Sequence, residues 1–337
     1  MSTLWELVNS GDGKQAALTA PGQEALSYDE LRAQVKTTAS RLNELGVGRN
    51  DPVAIVLPNG PEMASSFIAI GAAATTAPLN PGYRGEEYDF YLEDLKPKIL
   101  VVAEDSDSSA IASAEKLGIK VVRLLHQAGD PAGKFELQGE ALADASPITG
   151  FAQPDDIALV LHTSGTTSKP KLVPLSQENV CASARNVAQS LELTSADRCL
   201  NIMPLFHIHG LIAAVLGSLH AGACVSCTPG FNALKFFNWL EEVRPTWYTG
   251  VPTMHQAILS RAGRNREIID SVKLRFLRSS SASLPPKVTV ELEQTFDAPV
   301  IEAYGMTEAP HQMPCNPLPS GAQKPRPVGL ACGPTTP

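Results

Sequence analysis

Short apolar runs rich in Val, Ile and Leu recur along this chain, and between them lie longer stretches whose apolar residues fall at helical spacing. The first of these, "SYDELRAQVKTTASRLNELGVG", opens on Ser27 with Glu30 three residues later and ends on glycines, the pattern of a capping box and a helix stop. "PVAIVL" (52–57) reads as a buried strand and "PEMASSFIAIGAAA" as a helix, and "KILVVA" (98–103), a helix near 108–117 and "KVVRLL" (120–125) continue the series. The second half keeps the style with strands "DIALVLH" (156–162), "CLNIM" (199–203), "ACVSC" (223–227), "TWYTG", "RFLRSSS" (275–281) and "PVIEAYG" (299–305). Helices are predicted from about 177, from about 210, and over "ALKFFNWLEEV", "TMHQAILSRA" and "KVTVELEQTF".

Strands buried on both faces and separated by helices predict a doubly wound α/β architecture with largely parallel sheets. Residues 126–155 turn polar and rich in Gly and Pro, which predicts two such lobes, 1–150 and 151–311. The segment 312–337, "QMPCNPLPSGAQKPRPVGLACGPTTP" from Gln312 onward, is proline-rich and predicts irregular loop.

Composition narrows the function classes. A hydrophobic fraction of 43% and a charged fraction of 18% are those of an ordinary globular protein, long enough at 337 residues for two cores. The net charge is −8 and there is no basic run, which argues against a nucleic-acid or anionic-membrane binder. No apolar stretch is long and unbroken enough to predict a membrane span, and "MSTLWELVNSGDG" does not read as a signal peptide. Cys181, Cys199, Cys224, Cys227, Cys315 and Cys332 are scattered, and the lone Cys224-x-x-Cys227 sits in a strand with no second pair to complete a zinc site. Buried reduced thiols, hence a cytoplasmic protein, are the expectation.

The chemistry concentrates in "LHTSGTTSKPKLV", 161–173, where small hydroxylated residues, Gly165 and lysines sit between two strand-like runs. A Walker loop needs Gly-Lys-Ser/Thr leading into a helix, and a dinucleotide loop needs G-x-G-x-x-G; neither is present. Hydroxyls, amides freed by glycine and a lysine can still wrap anionic oxygens. An exposed hairpin linker uses the same residue types.

The order of the residues decides between them. "TSGTTSKPK" resembles the signature loop of the adenylate-forming superfamily, which includes acyl-CoA synthetases, luciferases and peptide-synthetase adenylation domains. Thr163, Ser164, Gly165, Thr166, Thr167, Pro170 and Lys171 match, and Ser168 stands where the pattern has glycine. "PLFHIHG" (204–210), "SSSASLPP" (279–286) and "EAYGMTE" (302–308) resemble further superfamily segments in the same order. The resemblance implies ATP-dependent joining of a carboxylate to AMP, release of pyrophosphate, and transfer of the acyl group to a thiol such as CoA. It implies catalytic roles for Thr166, Lys171 and His207, and a nucleotide site drawn from Thr163 to Thr167, Lys171, Ser281, Ala282, Ser283, Glu302, Ala303, Tyr304, Gly305 and Thr307. Glu308 becomes a ligand for Mg²⁺, an ion that keeps waters and bridges to phosphates. Tyr304 suits stacking on a flat base, with a core aromatic as the other reading. His207 and His209, two residues apart, fall on opposite sides of an extended segment, which argues against a two-histidine metal site.

Several stretches, among them "MPLFHIHGLIAAVLGSL", "RSSSASLPP" and "EAYGMTEAPHQM", resemble the oxalate–CoA ligase branch more than the rest. A tiny dicarboxylate brings a second charge into its pocket, and burying it unpaired would be costly. His207, His209, Ser281 and His311 are the expected polar contacts for that acid. An aryl (4-coumarate-type) or medium-chain ligase is the alternative. The superfamily's β-barrel subdomain, ribose-binding aspartate and C-terminal domain with its lysine are not found in the sequence. The expectation is therefore a fragment with little turnover alone, or a catalytically incomplete nucleotide-binding module, of a cytoplasmic or, for a eukaryotic parent, peroxisomal enzyme.

Overall fold

The apolar runs become strands of two sheets. The structure, a computed structural model, describes residues 1–163, 170–309, 313–315, 318 and 330–331. Near the N-terminus β1 (Ala16–Thr19) and β2 (Leu26–Ser27) form a hairpin. Then come β3 (Pro52–Val56), β4 (Thr75–Pro78), β5 (Ile99–Ala103), β6 (Lys120–Leu125), β7 (Glu136–Gln138), β8 (Ile157–His162) and β9 (Leu172–Ser176). The later strands are β10 (Arg198–Asn201), β11 (Cys224–Cys227), β12 (Trp247–Gly250), β13 (Phe276–Ser279) and β14 (Val300–Glu302).

One sheet runs β7-β6-β5-β3-β4-β8-β9 and the other β14-β13-β12-β10-β11-β1-β2. Both are parallel apart from antiparallel partners at their edges, β7 and β9 in the first and β2 in the second. Each sheet borrows from the other half of the sequence. The β1–β2 hairpin completes the second sheet through Leu18 opposite Val225, while β8 and β9 complete the first through Thr76 opposite Leu159. The capping box at Ser27 forms as the sequence predicts: Ser27 Oγ accepts from the Glu30 amide at 3.3 Å, and Glu30 Oε2 accepts from the Ser27 amide at 2.8 Å.

The helix Pro61–Gly71 is buried at every residue except Glu62, which is why its sequence is apolar and small all round. One core fills the space between the sheets, with Val53, Ile55, Phe67, Val187, Trp247 and Phe276 among its members. A second core, including Leu200, Tyr248 and Leu277, lies under the helices Phe236–Val243, Pro252–Ala262 and Pro286–Phe296 on the far face of the second sheet. Burial pushes the Cys181 thiol up to about 12, and Cys199, Cys224 and Cys227 are likewise buried and raised, as inert core thiols should be. Within 312–337, expected to be irregular, Pro314–Cys315 (β15) pairs antiparallel with Leu330–Ala331 (β16). Among the described residues no helix is long and apolar enough to cross a membrane.

Candidate active site

The chemistry-bearing segments leave the strands at four places. The first is the β8–β9 hairpin. The Thr163 amide donates to Lys171 O at 2.9 Å, closing the stem of the loop, and Lys171 is exposed. The stem is tied to the helix Gly85–Leu95 through His162 Nε2, 2.9 Å from Asp94 Oδ2, with Tyr91 edge-on to the imidazole and stacked on Tyr83. Ser164, Gly165, Thr166 and Thr167 lie outside the described residues.

The second is the segment after β10. Asn201 Oδ1 accepts from the Met203 amide at 3.0 Å and turns the chain. Asn59, from the turn after β3, reaches across from the other sheet: its Oδ1 accepts from Leu205 N at 2.7 Å and its Nδ2 donates to Thr228 O at 2.9 Å. The histidine segment is not extended, as the opposite-sides argument assumed, but a turn running into a π-helix, His209–Leu216. His207 is exposed and packs against Phe206, and the protein around it holds its pKa below the usual histidine range by partial desolvation. His209 is buried at the first position of the π-helix. A π-turn is rare and favoured at functional sites. Gly210 permits it, because a Cβ there would lie 2.5 Å from Pro204 O.

The third place is the end of β13. Arg278 is fully buried, at 0% exposure, inside that strand. A desolvated guanidinium is tolerated only when hydrogen-bonded. Its Nη1 lies 3.0 Å from His209 Nε2 and 3.3 Å from Thr249 Oγ1 on β12, and Thr249 Oγ1 is 2.6 Å from the same Nε2. His209 Nδ1 is 3.0 Å from Ser281 Oγ. Ser281 is exposed and held at a φ of +71°, a left-handed value that a serine rarely adopts and that often marks a functional turn. The structure thus brings His209 and Ser281 together and leaves His207 outside their network. His311 lies outside the described residues.

Next to this cluster β14 delivers the last segment. The Ala303 amide donates to Ser279 O at 3.0 Å, and Ser280 Oγ donates to Ala303 O at 2.8 Å. Glu302 Oε1 accepts from the Leu284 amide at 3.0 Å and so braces the loop that carries Ser281, Ala282 and Ser283. Tyr304 is 54% exposed, its ring available as a flat platform, with its amide bonded to Pro314 O. Gly305 and Thr307 are half-buried and Glu308 is exposed. Among the described residues no three His, Cys, Asp or Glu gather as a metal cage. A lone exposed carboxylate such as Glu308 matches the sparse protein ligation of an ion held chiefly by phosphates and water.

Sequence reasoning missed Arg278, Thr249 and Asn59. The signal for Arg278 was in view, a charge inside a run that otherwise reads as a strand buried on both faces. Asn59 and Thr249 offered none, because their partners lie far away in the sequence.

The family described as AMP-binding enzyme matches residues 6–336. Oxalate--CoA ligase of Arabidopsis thaliana is 42% identical over 339 residues, covering 99% of this chain and 66% of that protein. Oxalate--CoA ligase of Saccharomyces cerevisiae is 38% identical over 311 residues, covering 86% of this chain and 56% of that one. The crystal structure of ATP-bound MatB from Rhodopseudomonas palustris superposes with a TM-score of 0.83 at 28% identity, covering 98% of this chain and 65% of that one. The chain therefore spans 56 to 66% of the length of these two curated relatives.

Proposed function

Because the chain belongs to the AMP-binding enzyme family, we propose that it carries the carboxylate-activating site of an ATP-dependent acid–CoA ligase, and that the acid is oxalate. In that reaction a carboxylate oxygen attacks the α-phosphorus of ATP, pyrophosphate leaves, and the CoA sulfur then displaces AMP from the acyl carbon. Both reactants are anionic. Rate therefore depends on holding them in line and on offsetting charge at the phosphates.

The residues divide the work as follows in this reading. Thr163 to Thr167 and Lys171 follow the β- and γ-phosphates, with Thr166 and Lys171 meeting the charge that develops on pyrophosphate. Tyr304 stacks on adenine, Gly305 lets the base approach, and Glu302, Ala303 and Ser281 to Ser283 run along it. Thr307 reaches the α-phosphate. Glu308 takes one position on Mg²⁺, which when bound neutralises phosphate charge. His207, Ser281 and His311 meet the acid, and the buried His209 acts on it through Ser281. The lobes of this reading follow the sheets rather than a cut at residue 150, since β8 and β9 belong with the first and the β1–β2 hairpin with the second, and the buried thiols suit a reducing compartment, cytosolic or peroxisomal.

The single observation that supports a charged, small acid is the Arg278–His209 contact at the strand ends. A buried cation beside the acyl segment lowers the cost of a second carboxylate, and an apolar acyl tail gains nothing from it. The experiment is calorimetric titration of the chain, with AMP present, using oxalate, cinnamate and octanoate. Oxalate should bind and the other two should not. Tighter binding of cinnamate or octanoate would replace this reading with an aryl or medium-chain ligase.

A further inference from the structure

The groups at the ends of β12 and β13 obey a donor count that fixes their protons. A guanidinium has N–H donors and no acceptor. Arg278 Nη1 sits 3.0 Å from His209 Nε2, so that nitrogen presents its lone pair. Thr249 Oγ1 accepts from the same Nη1 at 3.3 Å, and its own proton, directed at His209 Nε2 2.6 Å away, shares that single lone pair with the guanidinium. A proton on Nε2 would set N–H against N–H. The imidazole is therefore neutral and carries its proton on Nδ1. From there it donates to Ser281 Oγ at 3.0 Å. Having accepted, the Ser281 hydroxyl keeps its own proton for a group outside the cluster, and Ser281 is exposed.

We propose that Arg278 is a positioning residue: by imposing the Nδ1–H tautomer on His209, it leaves the Ser281 hydroxyl as a hydrogen-bond donor to an anionic oxygen of the substrate acid. This deepens the acid-activating reading above and rests on it. Without the guanidinium the opposite tautomer becomes available, with Nε2–H donating to Thr249 Oγ1 and Nδ1 accepting from Ser281. The serine would then turn its lone pairs toward the anion. The change exceeds a lost contact, since an attractive group becomes a repulsive one.

The test needs two readouts. The first is a proton–nitrogen correlation spectrum of the histidine rings in the intact chain, with the His209 signals assigned by their absence in His209→Gln. Wild type should show the Nδ1–H tautomer. Arg278→Met should shift the ring toward Nε2–H, and Arg278→Lys, whose ammonium is also a pure donor, should restore it. A wild-type ring protonated on Nε2 overturns the proposal with no variant required, and so does a tautomer unmoved in a folded Arg278→Met protein.

The second readout is oxalate affinity by calorimetry with AMP present. Arg278→Met should weaken it roughly ten- to a hundredfold, the range for a lost hydrogen bond to a charged group. In a Ser281→Ala background the same substitution should have no further effect, because the hydroxyl through which Arg278 acts is gone. Equal losses in both backgrounds would overturn the relay through serine. If wild type shows the expected tautomer but binds no oxalate, the substrate reading fails, and with it the proposed acceptor, while the proton arrangement stands.

Discussion

Asn59 Oδ1 accepts a hydrogen bond from the Leu205 amide at 2.7 Å, joining the turn after β3 of one sheet to the histidine-bearing segment that leaves β10 of the other. The same side chain donates to Thr228 O at 2.9 Å, so one amide holds two loops. Truncation to alanine leaves the Leu205 N–H and the Thr228 carbonyl without this partner. Asn59→Ala should therefore lower stability by about 1–3 kcal/mol. Urea unfolding checks this: the midpoint should fall and the slope should hold. An unchanged midpoint would mean that water replaces the amide at no cost.

Gly210 is a stricter requirement. A methyl there would meet the Pro204 carbonyl oxygen at 2.5 Å, a backbone atom that cannot rotate away. Gly210→Ala should cost on the order of 1–3 kcal/mol, as overpacked interior positions do. It should also move His209, the neighbouring residue at the start of the π-helix. Thermal unfolding gives the first effect, and a shifted His209 ring signal in the correlation spectrum gives the second. A protein of wild-type melting temperature would contradict the close approach.

His255 sets a pH dependence. It is fully buried, its Nδ1 lies 3.2 Å from Tyr248 Oη, and burial lowers its pKa from 6.5 to about 4. The unfolded chain takes up this proton below about pH 6.5, while the folded chain resists until about pH 4. The stability contributed is therefore complete above the unfolded value and is lost as pH falls through that window, by up to about 3 kcal/mol. Denaturation midpoints measured across the window should fall more steeply for wild type than for His255→Phe. Parallel curves would show that His255 titrates alike in both states.

Glu308 is the one carboxylate in the family segment left exposed rather than bonded to a backbone amide, in contrast to Glu302, which braces Leu284. Glu308→Gln should weaken ATP binding measured with Mg²⁺, and leave AMP binding without the metal unchanged. The expected loss is roughly tenfold, since removal of one charge leaves the phosphates and waters as ligands. Calorimetry with and without Mg²⁺ separates the two, and an equal loss in both would assign Glu308 to the nucleotide itself.

Periodicity sufficed for the alternation of strands and helices, because burial of a strand on two faces and of a helix on one leaves a mark every few residues. The capping box at Ser27 was legible for the same local reason. The shortest elements were not: β1, β4 and the helix Gly85–Leu95 are too brief or too mixed in pattern to stand out. Nor could periodicity assign strands to sheets. The β1–β2 hairpin joins the second sheet and β8–β9 the first, and those pairings are settled by which apolar faces meet in the folded chain.

The site divides along the same line. Order and spacing of the hydroxyl loop, the "FHIHG" segment and "YGMTE" pointed to the family, because such loops must present particular atoms in a particular sequence. Arg278, Thr249 and Asn59 escaped notice, since each acts through a partner distant in the chain. Sequence alone determined the family and the kind of reaction to look for, both carried by contiguous residues. Tertiary structure alone decided which histidine is buried, which groups face its two ring nitrogens and what lies behind Ser281. Those are properties of the space where β12, β13 and the π-helix converge, and no one of those segments encodes them by itself.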